Sequence, residues 1–134
     1  TIGERKMSMQ ELREKFDNLM DKMVVEGKKI LKDESRKIFE KYSKLESFSF
    51  KAYTVYFNDG DTCSYSVYAE AYGLKINEEV YEGDYGKEKL QWQDHCTKEI
   101  SKLVYGIGED IIFKMFGDHT QVTFHKDGNI TQED

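Results

Sequence analysis

From Ser8 onward the apolar residues recur every three or four positions, through Met9, Leu12, Phe16, Leu19 and Met23, with Ile30 seven residues later. That spacing lays one stripe along a helix. Ser8-Met9-Gln10-Glu11 has the capping-box form, in which a Ser accepts from a free amide and a Glu three residues on reaches back, so the helix is predicted to start there. A second apolar set, Leu31, Ile38, Tyr42 and Leu45, continues one residue out of phase. Gly27 lies near the shift and costs about 1 kcal/mol in a helix interior. The expectation is one long helix bent near Gly27 or an antiparallel pair, and with no proline in the chain nothing forces a break. So narrow a stripe, flanked by Lys and Glu, needs cover, either from the chain's own C-terminal sheet or from a second copy in a coiled coil.

At Ser47 the period changes to two. Phe48, Phe50, Ala52, Thr54 and Tyr56 share one face of a strand, and Tyr53, Val55 and Phe57 the other. Asn58-Asp59-Gly60-Asp61 supplies hairpin-turn chemistry, with Asp-Gly suited to positive φ at both central positions. A second strand follows, with Cys63, Tyr65, Val67, Ala69 and Ala71 alternating with polar residues. Residues 73–87 read as an acidic loop holding at most one short strand. A helix is expected from about Lys87, burying Leu90, Trp92, Cys96, Ile100, Leu103 and Val104 until Gly106 and Gly108 interrupt it. A short helix from Asp110 to Phe116 stops at Gly117, and His119 to His125 alternates again with Thr120, Val122 and Phe124 on one face. Lys126-Asp127-Gly128-Asn129 repeats the Asp-Gly turn before a last strand from Ile130.

This order predicts an α+β fold: a long, coiled-coil-like N-terminal helix, then an antiparallel sheet of about four strands built from two hairpins, with one or two helices packed on it. Residues 1–46 form the helical region and 47–134 the α+β domain. Composition agrees with a globular chain, since 13% aromatic residues among 134, including nine Tyr and eight Phe, can bury enough area to offset chain entropy. No apolar run approaches the ~20 residues of a membrane span, and two cysteines are too few for a disulfide framework. A soluble protein of the reducing cytoplasm is expected.

Net charge is −6, divided as +2 over residues 1–46 and −8 over residues 47–134. All three arginines, Arg5, Arg13 and Arg36, precede the boundary, so the second part lacks a guanidinium fork and is a poor nucleic-acid surface.

The chemistry-bearing residues are few. Asn58, Asp59 and Asp61 offer clustered oxygens, but the alternating ligands and distal bidentate Glu of a calcium loop are missing, so no metal is expected and the turn reads first as a turn, second as an exposed recognition tip. His95, Cys96, His119, His125 and Cys63 lack paired zinc-ligand spacing, and Gly106-Ile107-Gly108 is no phosphate-cradling loop. Asp118-His119, after a Gly and before a strand, reads as a helix-to-strand corner in which Asp118 accepts backbone amides. Tyr53, Tyr56, Tyr65, Tyr68, Tyr72 and Trp92 would pack a core or line a pocket for a flat ligand, with Lys51 or Lys75 adding charge. Tyr53 and Tyr68 fall on the more exposed faces. No catalytic constellation or cofactor motif emerges.

The run from Ala52 to Val67, Ala-Tyr-Thr-Val-Tyr-Phe-Asn-Asp-Gly-Asp-Thr-Cys-Ser-Tyr-Ser-Val, and the later Phe116-Gly117-Asp118-His119 ahead of a Val-Thr-Phe and Asp-Gly strand pair, resemble a family of small uncharacterised proteins of tailed bacteriophages and some bacteria. The resemblance spans roughly residues 48–134. Val55 stands where that family usually has Pro. It carries no known activity, but implies a viral origin, with host machinery or host defence as the target and the host cytoplasm as the location. The expected function is a non-enzymatic interaction protein that binds and blocks a host defence component through its acidic C-terminal part, the N-terminal helix serving as a homodimerisation or spacer element. Candidate binding residues are Tyr53, Tyr56, Asn58, Asp59, Asp61, Tyr68, Trp92, Asp118 and His119. Two alternatives stand beside it. A sponge for a nucleotide-derived immune signal would take its phosphate contacts from Lys28, Lys29, Lys32 and Arg36, and an acidic DNA mimic would rest on residues 78–84.

Overall fold

The computed structural model describes residues 6–55, 63–70, 73–80 and 91–134. Its elements run α1 (Met9–Lys41), β1 (Ser47–Thr54), β2 (Tyr65–Tyr68), β3 (Lys75–Ile76), β4 (Glu79–Val80), α2 (Gln91–Ile107), α3 (Glu109–Phe116), β5 (Thr120–His125) and β6 (Ile130–Glu133). The architecture is α+β, as the patterning predicts, with a wholly antiparallel sheet of six strands.

α1 is one helix of 33 residues, capped by the Ser8 hydroxyl, which accepts from the Glu11 amide at 3.2 Å. Gly27 does not break it. It is buried instead, facing α3, where a β-carbon would lie 3.7 Å from Ile111 and from the Met115 sulfur. The phase shift in the apolar pattern marks a change of surroundings. Leu31, Ile38 and Phe39 are buried, whereas Met9, Leu12, Phe16, Leu19, Met23 and Ile30 are all exposed, Met9 at 80% and Phe16 at 59%. The first stripe therefore does not lie on the chain's own sheet. α1 reaches the domain through a neighbouring flank, Met20, Val24, Gly27 and Leu31.

β1 is the centre of the sheet. One edge pairs with β5 from Ser47↔His125 to Ala52↔Thr120, and β6 extends that side. The other edge is shared by β3, opposite Phe48 and Ser49, and β2, opposite Lys51 to Thr54. Alternation then sorts the residues. Phe48, Phe50, Ala52, Val67, Val122 and Phe124 point to one face and are 0–5% exposed. Phe48 stacks between Phe39 of α1 and Phe124, and Phe50 meets Phe116 of α3 edge-on. α2 grips the end of β2: the Ser101 hydroxyl donates to the Ala69 carbonyl at 2.6 Å, and the Ala69 amide donates to the Tyr105 hydroxyl at 3.0 Å. All three helices thus cover one face, and among the described residues no helix covers the other.

Two expectations change. The segment read as an acidic loop contains the β3–β4 hairpin, because Ile76 is a core residue and Asn77 and Glu78 take positive φ, 52° and 68°. Asn77 earns its place there with a side chain that accepts from the Glu46 and Ser47 amides and donates to the Lys44 carbonyl, tying the hairpin tip to the start of β1. The break after α2 falls at Gly108, φ 97°, and Gly106 stays within the helix. Gly117, φ 83°, ends α3 as expected, its amide donating to the Phe113 carbonyl. The Asn58-Asp59-Gly60-Asp61 turn, with Tyr56, Tyr72, Leu90 and the start of the helix near Lys87, lies outside the described residues.

Candidate functional site

Because cross-strand partners share a face, the registers assemble the uncovered side of the sheet residue by residue. Lys51 faces Tyr68 and Gln121, Tyr53 faces Ser66, Ser49 faces Thr123 and Lys75, and Ser47 faces His125. Tyr53 and Tyr68, diagonal neighbours there, stack with centroids 4.6 Å apart and planes 20° apart. Burial, with Tyr68 alongside, raises the Tyr53 phenol above its ordinary value. Gly73 allows this placement: a β-carbon on it would fall 2.4 Å from the Tyr68 β-carbon and 2.8 Å from its carbonyl oxygen.

Two adjoining clefts open on this face and share Gln121. One, about 280 Å³, lies among Lys51, Tyr53, His119 and Gln121. The other, about 230 Å³, is floored by Ser47, Ser49 and Thr123 and walled by Lys75, Glu78, His125 and Glu133. His119 reaches the first from a left-handed backbone, φ 52°, directly after Asp118. Asp118 itself is committed to structure. It accepts from the Thr54 amide at 2.8 Å, the Thr54 hydroxyl at 2.6 Å and the His119 amide at 2.8 Å, and the Thr54 hydroxyl bond leads the contacts that hold its carboxyl below the ordinary value. The His119 ring nitrogen Nε2 stands 3.9 Å from the Asp118 carboxylate, too long for the hydrogen bond of a catalytic pair.

Other candidate residues are placed elsewhere. Tyr65 lies on the helix side, edge-on to Phe113, its hydroxyl donating to the Gly117 carbonyl at 3.3 Å, and burial pushes its phenol up to about 12. Trp92 packs against Tyr42 in the helical layer, so Tyr53, Tyr65, Tyr68 and Trp92 do not line one aromatic pocket. Lys32 and Arg36 share a cleft of about 330 Å³ with Lys126 and the Asp127–Asn129 turn, over a floor that includes Phe39 and Phe124. Arg36 already sits 3.9 Å from Asp33, Lys126 lies 3.6 Å from Glu46 and donates to the Ser43 carbonyl, and Lys29 lies 3.8 Å from Glu26. Cys63 is exposed, and burial pushes the Cys96 thiol up to about 12, far from a reactive thiolate.

Sequence reasoning missed Ser47, Ser49 and Thr123. The signal was the Ser-Phe-Ser-Phe alternation from Ser47 to Phe50, which puts small hydroxyls opposite the largest core rings. Among the described residues no three metal-ligating side chains cluster, and no helix is long and apolar enough to cross a membrane. The chain matches no described protein family, no curated protein and no solved structure.

Proposed function

We propose that this chain is a non-enzymatic binding protein that engages and blocks its target, and that the uncovered face of the sheet is its recognition surface. One observation carries the reading: among the described residues every helix lies on the other face, while this one presents the stacked Tyr53–Tyr68 pair, Lys51, His119 and two linked clefts. Aromatic rings with a polar surround on a rigid sheet are the composition of an interface, where Tyr is enriched and each immobilised ring costs little entropy. The target is a host component, a defence protein above all, in the phage setting that the resemblance of residues 48–134 implies. α1 serves self-association through Met9, Leu12, Phe16, Leu19 and Met23, which the domain leaves exposed.

The test is quantitative capture from host cells with wild type, Tyr53→Ala and Lys51→Glu, identifying both proteins and released small molecules. A species held by wild type and lost by both folded variants supports the reading. Capture indifferent to both variants sinks it. The nucleotide-sponge alternative draws on the cleft joining Lys32 and Arg36 to Lys126. It predicts a captured small molecule lost on Arg36→Ala and kept by Tyr53→Ala.

A further inference from the structure

We propose that the groove floored by Ser47, Ser49 and Thr123 is a binding site for a hydroxyl-bearing sugar ring. The proposal rests on the sheet-face reading above and gives part of that face a ligand class.

Side chains on an uncovered sheet face normally meet water, yet Ser49 is 2% exposed, Ser47 7% and Thr123 9%. The longer side chains of Lys75, Gln121, His125 and Glu133 stand around them as walls. None of the three hydroxyls has a hydrogen-bond partner among the described residues. Nor are they sealed: the polar side-chain atoms shut off from solvent without a partner are, among those residues, Trp92 Nε1 and Glu99 Oε2. These hydroxyls are therefore reached through the groove, and what enters it must satisfy them. Water meets them in the free protein, and an occupant that displaces it must replace those hydrogen bonds, since a hydroxyl left buried and unsatisfied costs about 1–3 kcal/mol; three converging on one concavity therefore favour a polar occupant.

The walls are built, not loose. The Gln121 side-chain amide donates to Glu133 at 3.1 Å, and His125 Nε2 lies 2.9 Å from the Thr131 hydroxyl. The Asn77 clasp on Glu46 and Ser47 fixes the hairpin that carries Lys75 and Glu78.

Charge and size narrow the ligand. Glu78 and Glu133 outnumber Lys75, so an anion such as phosphate meets net repulsion. A sugar hydroxyl both donates and accepts, matching Ser and Thr hydroxyls, carboxylate acceptors and an ammonium donor at once. Clefts for drug-sized ligands run to about 300–1,000 Å³. At about 230 Å³ this one suits a single ring. The ring could belong to a free saccharide or to the ribose of a nucleoside, whose base would extend past Gln121 toward Tyr53.

Amide chemical-shift titrations of the full chain with methyl α-glucopyranoside, methyl β-ribofuranoside, adenosine and inorganic phosphate test this. The expected result is saturable shifts at Ser47, Ser49 and Thr123 from at least one of the three hydroxylated probes and none there from phosphate. Shifts from adenosine alone assign the nucleoside source, and shifts from a methyl glycoside the saccharide source. Ser49→Ala and Thr123→Val each weaken binding about tenfold, the worth of one hydrogen bond lost, whereas Thr123→Ser, which keeps the hydroxyl and disturbs folding least, retains it. Absence of such shifts at millimolar probe, or a response to phosphate instead, overturns the proposal. Retained capture of the cellular target by Ser49→Ala, together with its loss in Tyr53→Ala, would then show that the sheet-face reading survives without it.

Discussion

Asp118, at the corner between α3 and β5, holds Thr54, at the far end of β1, with both carboxylate oxygens, at 2.8 Å to its amide and 2.6 Å to its hydroxyl. The clasp secures β1 two residues beyond its last pairing with β5, Ala52↔Thr120, next to the cleft that holds Tyr53 and His119. Asp118→Ala leaves the Thr54 and His119 amides without their acceptor. The expected outcome is a lower melting temperature and broadened amide signals at Thr54 and His119, with the β3–β4 hairpin unaffected.

The same clasp sets a pH dependence. The Asp118 carboxyl lies below its ordinary 3.8, held there first by the Thr54 hydroxyl. A carboxyl depressed by folding stabilises the fold fully above its unfolded value and loses that contribution as pH falls through the folded one. Glu99 adds to the trend. Burial opposes its charge, but the Lys41 ammonium, 2.6 Å away, leads the contacts that bring its value below 4.5. Denaturation midpoints followed downward from pH 5 should fall through and below the 3.8–4.5 range, with a shallower slope in Asp118→Ala.

Gly27→Ala should stabilise the protein by about 0.5–1 kcal/mol, since alanine is the better helix former. The new methyl would meet Ile111 and Met115 side-chain atoms at 3.7–3.8 Å, ordinary contact distance. A raised urea midpoint with an unchanged slope checks this. Gly27→Leu, which must displace α3, should instead lower it.

Gly73→Ala has the opposite sign. A β-carbon 2.4 Å from that of Tyr68 has no room, and the overpacking should cost about 1–3 kcal/mol. Because Tyr68 must move, the near-ultraviolet circular dichroism of the stacked Tyr53–Tyr68 pair should change with it.

Phe16→Glu and Leu19→Glu sit on exposed positions of α1, 59% and 56% accessible. At low protein concentration each should leave unfolding within about 0.5 kcal/mol of wild type. If α1 joins two copies as proposed, sedimentation equilibrium should show the mass falling to that of one chain. A mass unchanged from wild type would remove α1 from self-association.

The chain's own pattern determined the types of the longer elements and the inward faces of β1 and β5. Period two from Ser47 selected Phe48, Phe50 and Ala52, and Thr120, Val122 and Phe124 likewise, because a strand turns alternate side chains to opposite sides whatever it pairs with. The stop at Gly117 and the bond from the His119 amide to Asp118 were also legible, as both depend on neighbouring backbone, whereas the Asp118 grip on Thr54 was not. Tertiary structure alone decided which apolar stripe of α1 is buried, since Leu31 and Ile30 are adjacent in sequence and only the approach of α2 and α3 separates them. It decided that Tyr53 and Tyr68 stack while Trp92 lies in the helical layer, because that follows from register and layer, which periodicity does not encode. Above all it turned Ser47, Ser49 and Thr123 from ordinary solvent-facing hydroxyls into the floor of a groove. Their burial is supplied by side chains from β3, β5 and β6, and no local window of sequence contains those together.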